Sequence, residues 1–290
     1  MKPASFDYYK PETLAEALNL LAQFGEAAKP LAGGQSLVPM MNMRLARPAQ
    51  LIDLNDLREL DYLKVENGEL RIGAMTRQRS LERSAIVGEG WPLLQEATRY
   101  VGHVQIRNRG TVGGSLAHAY PAAELPVAMT ALNATFVLRS EETERAVAAG
   151  EFFLDAMTTI LKTTELLVEI RLPPVPPRTG WSFQEISRRH GDFALMGVAG
   201  LLTVRSDGAI EQAELVFGGV TPHRAKKIRQ QLAGHQPETA LFQDAANLAA
   251  AELEPESDIH ASAAYRKEVA KVLARRALEQ AAHRASTGTM

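Results

Sequence analysis

Ala32-Gly33-Gly34-Gln35-Ser36 is the stretch of sequence that decides the fold, together with a later counterpart, Thr111-Val112-Gly113-Gly114-Ser115. We refer to them as the first and second glycine segments. Each follows an apolar stretch with two consecutive glycines and then a hydroxyl side chain. Glycine permits positive φ angles and close approach of the backbone, so successive N–H groups can turn inward and bind an anion. Two such segments predict a pyrophosphate site and therefore a dinucleotide.

The residues around the first glycine segment predict a strand, a loop and a helix in succession. Residues 29–32 have the pattern of a short strand, and residues 37–44 predict a short helix with Pro39 in its first turn, where a missing N–H costs little. This arrangement presents free amides and the positive end of a helix dipole to an anion. Neither glycine segment has the G-x-G-x-x-G pattern of a Rossmann unit, and a Walker-type phosphate loop is absent.

The rest of the chain predicts antiparallel sheet and further helices. Asn67-Gly68 lies between two strand-like runs and is typical of a tight hairpin. Four prolines between Pro173 and Pro177 remove backbone donors and predict an extended linker. The predicted fold class is α+β, in three parts: an N-terminal α/β subdomain over 1–56, a second α+β subdomain over 57–175, and a C-terminal domain of small antiparallel sheet and helices over 176–290.

Hydrophobic periodicity places the other elements. Helices are predicted over 11–21, 91–100 and 124–132, and strands over 50–54, 134–139, 166–172, 181–186, 198–204 and 213–217. In the last predicted helix, Tyr265, Val269, Val272 and Leu273 share one face, and the opposite face carries basic residues that include Arg266. We interpret the basic face as facing solvent or a partner, because charged residues normally occupy helix exteriors.

Composition restricts the possible functions. The chain has 290 residues, is 46% hydrophobic and 23% charged, and has a net charge of −2, which fits a folded protein of two or three domains and argues against a nucleic-acid partner. It has no cysteine, so a disulfide or a cysteine-bound iron–sulfur cluster is excluded, and its seven scattered histidines predict no metal site. Neither a signal peptide nor a membrane span is recognisable, so we expect a cytoplasmic protein.

The two segments in their context resemble a known family. The family is the FAD-binding medium subunit of the xanthine oxidase class of molybdenum hydroxylases, which includes carbon monoxide dehydrogenase and quinoline oxidoreductase. Residues 32–41 are similar to the first FAD loop of this subunit. Residues 111–118, followed by Pro121 and Glu124, are similar to its second FAD loop. The resemblance covers essentially the whole chain. It implies an FAD-binding fold of the vanillyl-alcohol-oxidase (PCMH) type, with the pyrophosphate between the two segments and the flavin ring at a domain junction.

The resemblance also implies the residues that contact FAD. The amides of residues 33–36 would hold one side of the pyrophosphate, and Thr111, Gly113, Gly114 and Ser115 would hold the other side, with each hydroxyl adding a neutral donor. Glu124 would bind a sugar hydroxyl or the adenine amine, because a carboxylate would repel the pyrophosphate. Val101 and Leu167 match positions near the flavin, although both also fit a purely structural role in the core. The predicted cofactor-binding residues are Leu31, Ala32, Gly33, Gly34, Gln35, Ser36, Leu37, Val101, Thr111, Gly113, Gly114, Ser115, His118, Glu124 and Leu167.

Residues 187–194 resemble the family segment that passes the flavin ring. No residue of the chain is predicted to be catalytic, because flavin chemistry belongs to the cofactor. Gln184 stands where xanthine dehydrogenases carry lysine, and Tyr120 where close relatives often have aspartate, so an NAD acceptor is not implied.

The family's subunit organisation implies an oxidoreductase with two further partners. A large subunit would carry the molybdenum–molybdopterin centre, and a small subunit would carry two [2Fe–2S] clusters that feed electrons to this FAD and on to an external acceptor, in a dimer of heterotrimers. Two alternatives stay open at this stage. One is a self-contained FAD oxidase or reductase with its own substrate pocket. The other is a non-catalytic nucleotide-binding structural subunit, in which the glycine pairs are only tight turns.

Overall fold

A small parallel sheet forms the N-terminal part of the molecule. The computed structural model describes residues 2–288. The first five elements are strand β1 (Asp7–Tyr9), helix α1 (Leu14–Phe24), strand β2 (Ala28–Leu31), helix α2 (Leu37–Asn42) and strand β3 (Gln50–Asp53). The strands pair in the order β1-β3-β2, and both pairs are parallel. β3 is therefore central, and the carboxyl ends of the strands meet at one edge, next to the first glycine segment.

An antiparallel sheet of five strands, in the order β4-β5-β10-β6-β7, follows. Its hairpin is confirmed, because Asn67 and Gly68 both have positive φ, 53° and 81°, as a tight two-residue turn requires. The elements are β4 (Leu63–Glu66), β5 (Glu69–Gly73), α3 (Gln78–Arg83), α4 (Ala85–Gly90), α5 (Pro92–Tyr100), α6 (Val104–Arg109), α7 (Val112–His118), α8 (Glu124–Ala131), β6 (Thr135–Arg139), β7 (Glu144–Ala148), α9 (Ala149–Phe152), β8 (Phe153–Asp155), β9 (Thr158–Thr159) and β10 (Leu166–Leu172).

The C-terminal part is an antiparallel sheet covered by helices, as predicted. It comprises β11 (Thr179–Ile186), β12 (Met196–Val204), β13 (Ile210–Gly218), β14 (His223–Arg224), α10 (Ile228–Leu232), α11 (Thr239–Ala251) and α12 (Ala263–Thr287), with the strands in the order β11-β12-β13-β14. The proline-rich residues 173–177 connect the second and third sheets without helix or strand. Among residues 2–288, no helix has the length and apolar character needed to span a membrane.

Three apolar cores lie between these layers. One joins α1 and the parallel sheet to Val137, Leu166 and Val168 of the five-stranded sheet. The second fills the middle part and includes Phe183, Ala199 and Val216 from the C-terminal sheet, and the third lies between that sheet and α10, α11 and α12. Because the first two cores draw residues from both sides of positions 56 and 175, the division into 1–56, 57–175 and 176–290 stays a prediction.

The buried face of α12 differs from the predicted one. Tyr265 and Val272 are exposed, and Arg266 is buried. The buried face consists instead of Ala270, Leu273, Ala274, Ala277, Leu278, Ala281, Ala282 and Ala285. Small side chains are required because the helix lies unusually close to the sheet: a Cβ added at Gly180 of β11 would be 1.9 Å from the Ala281 carbonyl oxygen. The predicted face is therefore right for Leu273 and wrong for Tyr265 and Val272, because the close approach of the helix favours alanine over larger apolar side chains.

Candidate functional site

The first glycine segment lies at the carboxyl edge of the parallel sheet, between β2 and α2. Gly34 has a φ of 74°, a left-handed conformation that suits glycine. Within residues 2–288, the amides of Gly33, Gly34, Gln35 and Ser36 donate to no protein acceptor. Ligands of parallel sheets bind at this edge, and successive unpaired amides around a left-handed residue form a concavity for an anion. The segment therefore offers four backbone donors to a phosphate group.

The second glycine segment is the start of helix α7 rather than a loop. Thr111 is the N-cap, and its Oγ1 accepts a hydrogen bond from the Gly114 amide at 3.1 Å. The Gly113 amide donates to the Ala74 carbonyl at 2.8 Å. The chain itself therefore uses the amides of Gly113 and Gly114. The contact of FAD with Thr111, Gly113, Gly114 and Ser115 stays a prediction.

The two glycine segments touch each other. A Cβ added at Gly33 would lie 2.4 Å from the Arg109 carbonyl oxygen and 2.8 Å from the Gly110 Cα, and one added at Gly114 would lie 3.3 Å from the Ala32 Cβ. Real Cβ contacts are not as short as the first two distances, so glycine at position 33 is a condition for this approach. The sequence separates the segments by about 80 residues, and the fold brings them into one site.

A polar network behind the first glycine segment escaped the sequence reasoning. Asn55, two residues beyond β3, donates from Nδ2 to the Ala32 carbonyl at 2.9 Å and to Asp53 Oδ1 at 2.5 Å. Its Oδ1 accepts from Arg77 Nη2 at 2.7 Å. Tyr8 donates from its hydroxyl to Asp53 Oδ2, and this bond raises the pKa of Tyr8 to about 12. Polar residues directly after a buried parallel strand were the signal that could have indicated this network.

Comparisons with known proteins identify the family. Residues 4–175 match the model described as "FAD binding domain in molybdopterin dehydrogenase", and residues 181–281 match that described as "CO dehydrogenase flavoprotein C-terminal domain". The chain belongs to the FAD-binding medium subunits of molybdenum hydroxylases. The resemblance inferred from the sequence is confirmed, and the protein is a flavoprotein subunit of an oxidoreductase.

Individual relatives align over almost the whole medium subunit. It is 39% identical to the 6-hydroxypseudooxynicotine dehydrogenase complex subunit alpha of Paenarthrobacter nicotinovorans and 40% identical to the caffeine dehydrogenase subunit beta of Pseudomonas sp. (strain CBB1), in both cases over 98% of this chain and 97% of the relative. The solved carbon monoxide dehydrogenase of Hydrogenophaga pseudoflava aligns with a TM-score of 0.95 at 38% identity, over 98% of this chain and 99% of that chain. The predicted fold class, including the FAD-binding type, is confirmed.

The other predicted contact residues of the medium subunit occupy two different environments. Val101 and Leu167 are both buried in the middle core, so their proposed role near the flavin and their structural role are compatible. His118 ends α7, half-buried, with its ring stacked on Tyr120 at a centroid distance of 6.1 Å. Burial lowers the pKa of His118, which favours the neutral imidazole. Leu31, Leu37 and Ser115 are half-buried around the glycine segments.

Glu124 begins α8 and is only 7% exposed. It lines a narrow crevice together with Glu185 of β11, among small residues such as Ala194 and Gly218. Burial raises the pKa of Glu124 to about 7, and burial together with the Glu124 charge raises the pKa of Glu185 to about 9. Within residues 2–288, Glu185 Oε2 is buried without a hydrogen-bond partner. The crevice therefore favours protonated carboxyl groups, which can donate hydrogen bonds to hydroxyl or carbonyl oxygens.

The segment over 187–194 connects β11 to β12 and folds over α6 and the end of α7. Gly191, with φ 86°, lies against the His103 ring, where a Cβ would be 2.2 Å from Cε1. Phe193 is 66% exposed and packs on the Tyr120 ring at 4.6 Å. The segment thus lies beside His118 and Tyr120, and its passage along the flavin ring stays a prediction.

Proposed function

We propose that this medium subunit binds one FAD with the pyrophosphate on the first glycine segment, and carries electrons from iron–sulfur clusters of a partner subunit to an external acceptor. The observation that carries the proposal is the set of four unpaired amides at residues 33–36, at the carboxyl edge of a parallel sheet. Backbone donors recognise a pyrophosphate without needing a lysine. FAD, when bound, supplies the ability to exchange one or two electrons at a time.

The residues of this chain position and shield the cofactor. Gly33 allows the second glycine segment to close on the first. Glu124 and Glu185, as protonated groups, are suited to donate to hydroxyl or carbonyl oxygens of the cofactor rather than to its phosphates. We assign the other predicted contact residues, from Leu31 to Leu167, to the surroundings of the bound cofactor.

The proposed assembly has three kinds of subunit: this chain, a large molybdenum subunit and a small iron–sulfur subunit, as a dimer of heterotrimers in the cytoplasm. The absence of cysteine from the chain supports the placement of the clusters elsewhere. Substrate choice is assigned to the large subunit. In support, the chain is 40% and 38% identical to proteins named for caffeine and for carbon monoxide, two chemically unlike molecules.

The test is to purify the chain with its native partners and to record the visible spectrum before and after acid release of the flavin. We expect one FAD per chain and additional iron–sulfur absorbance that leaves with a co-purifying small subunit. Flavin without partners would favour the self-contained flavoenzyme. A colourless protein that takes up no added FAD would overturn the proposal and leave a nucleotide-binding or structural subunit.

A further inference from the structure

We propose that Asn55 and Arg77 form a polar clamp that holds the first glycine segment against the turn at Arg109–Gly110 and so positions the FAD-binding amides. The proposal rests on the proposed function and deepens it. Neither side chain contacts the cofactor directly in this arrangement: both act through backbone carbonyls, those of Ala32 and Arg109.

The first arm of the clamp is Asn55. Its Nδ2 group uses one hydrogen for the carbonyl of Ala32, the residue immediately before the Gly-Gly pair. The other hydrogen goes to Asp53 Oδ1, which also accepts the Asn55 amide at 2.9 Å. Because Asp53 ends the central strand of the parallel sheet, the side chain of Asn55 has a fixed orientation. The start of the first glycine segment is thereby tied to the end of the central strand of that sheet.

The second arm is Arg77, which connects Asn55 to the turn at Arg109–Gly110, directly before the second glycine segment. Its Nη2 donates to Asn55 Oδ1 at 2.7 Å, and its Nη1 donates to the Arg109 carbonyl at 2.5 Å. That carbonyl is the atom that a Cβ at Gly33 would approach to 2.4 Å. The planar guanidinium therefore links Asn55, which holds Ala32, to the turn just before the second glycine segment, in a fork geometry that a lysine cannot reproduce. An isolated bridge between Arg77 and Thr111 also ties the backbone of Arg77 to the start of the second glycine segment.

The charge of Arg77 is consistent with a position next to an anion. Among residues 2–288, no carboxylate forms an ion pair with it. Burial and the nearby Arg109 both lower the pKa of Arg77, and the more distant charges of Asp61 and Asp53 only partly offset this. A half-buried cation without an ion pair is costly for stability alone. The cost of holding the Arg77 cation there is explained if its hydrogen bonds set the geometry of a binding site.

The experiment measures FAD binding by the full-length chain after removal of its flavin. The variants are Asn55→Ala, Arg77→Met and the double variant, with Arg83→Met as the matched control, because Arg83 is exposed near the end of α3 and forms no ion pair within residues 2–288. We expect each single variant to raise the FAD dissociation constant about tenfold or more. The double variant should be close to the weaker single one, because both changes break the same link. The control should stay within about twofold.

Arg77→Lys tests whether the geometry of the side chain matters or only its charge, because lysine keeps the charge. It also replaces Arg77→Met as the test variant if that variant does not fold. It should bind FAD about as weakly as Arg77→Met, because an ammonium cannot bridge both acceptors in the fork geometry. Binding restored by lysine, or additive single effects, would overturn the clamp in favour of a charge effect. Wild-type affinity in folded Asn55→Ala and Arg77→Met would overturn the clamp alone. Failure of the unmodified chain to bind FAD would overturn the proposed function with it.

Discussion

Gly33 is the residue on which the approach of the two glycine segments depends. Gly33→Ala would place a Cβ 2.4 Å from the Arg109 carbonyl oxygen and 2.8 Å from the Gly110 Cα, both backbone atoms that cannot rotate away. We expect the FAD content to fall strongly and the unfolding free energy to drop by about 1–3 kcal/mol. Released flavin per chain and urea unfolding measure the two effects.

Gly90→Ala is the control for this change, because a Cβ there meets nothing within 4 Å and the residue lies in helix α4. It should leave FAD content unchanged and alter stability by at most about 1 kcal/mol. Full flavin content in folded Gly33→Ala would show that the two segments do not need this contact.

Glu185 makes the unfolding free energy of the medium subunit depend on pH. An ordinary glutamate has a pKa of 4.5, whereas burial raises that of Glu185 to about 9 and that of Glu124 to about 7. From about pH 4.5 up to about pH 9, the folded chain therefore holds more protons on these two groups than the unfolded chain. The unfolding free energy falls as the pH rises through this range. Glu185→Gln should make the fall between pH 7 and 9 shallower. Thermal midpoints measured from pH 5 to 9 in steps test this, with exposed Glu211→Gln as the control, and an unchanged slope in Glu185→Gln would contradict it.

Single residues also mark the limit of prediction from sequence. Gly33 and Gly34 were found because glycine pairs have a known backbone consequence. Asn55, Arg77 and Glu185 were not found, because each acts through partners far away in the chain: Arg77, for example, meets Arg109 across 32 positions. No local pattern encodes the contact between Arg77 and Arg109, and only the position of Asn55 directly after β3 offered a signal.

At the scale of elements, helix α12 and strand β11 form the closest packing in the C-terminal part. Gly180→Ala would bring a Cβ within 1.9 Å of the Ala281 carbonyl oxygen and 2.5 Å of the Ala285 amide nitrogen. The helix would have to move as a body, and we expect a loss of about 1–3 kcal/mol or more in the unfolding free energy.

Gly197→Ala in neighbouring β12 is a suitable comparison, because its Cβ would make an ordinary contact of 3.7 Å with the Phe183 ring. Its unfolding free energy should stay within about 1 kcal/mol of the parent value. Equal stability of the two variants in denaturant titrations would mean that α12 is free to shift.

Elements with a strong pattern were predictable, and those shaped by neighbours were not. Strand β10 was predicted with its bounds, Leu166–Leu172, because a mostly apolar, leucine- and β-branched-rich run of this length fits a strand, even though Glu169 and Arg171 interrupt it. The second glycine segment was taken for a loop, since the role of Thr111 as a helix N-cap was overlooked. The two-residue strands β9 and β14 carry no periodicity at all.

For the whole molecule, FAD should act as a stabilising ligand. A ligand that binds only the folded state adds about 2.7 kcal/mol to the unfolding free energy at 100 times its dissociation constant. The thermal midpoint of the flavin-free chain should therefore rise with FAD concentration. FMN, which lacks the pyrophosphate, is the control and should raise it much less, and a midpoint independent of FAD would contradict binding to the folded chain.

The second glycine segment has a consequence for tracing ancestry. Gly113 and Gly114 fit against Ala74, Thr111 and Ala32, so packing alone already requires small residues there, whereas the amides of residues 33–36 have no partner within residues 2–288. A descendant that had lost its flavin would keep the second pair for stability and be free to drift at Gln35 and Ser36. A genome survey that searched only for Gly113 and Gly114 would therefore count descendants without flavin as flavoproteins.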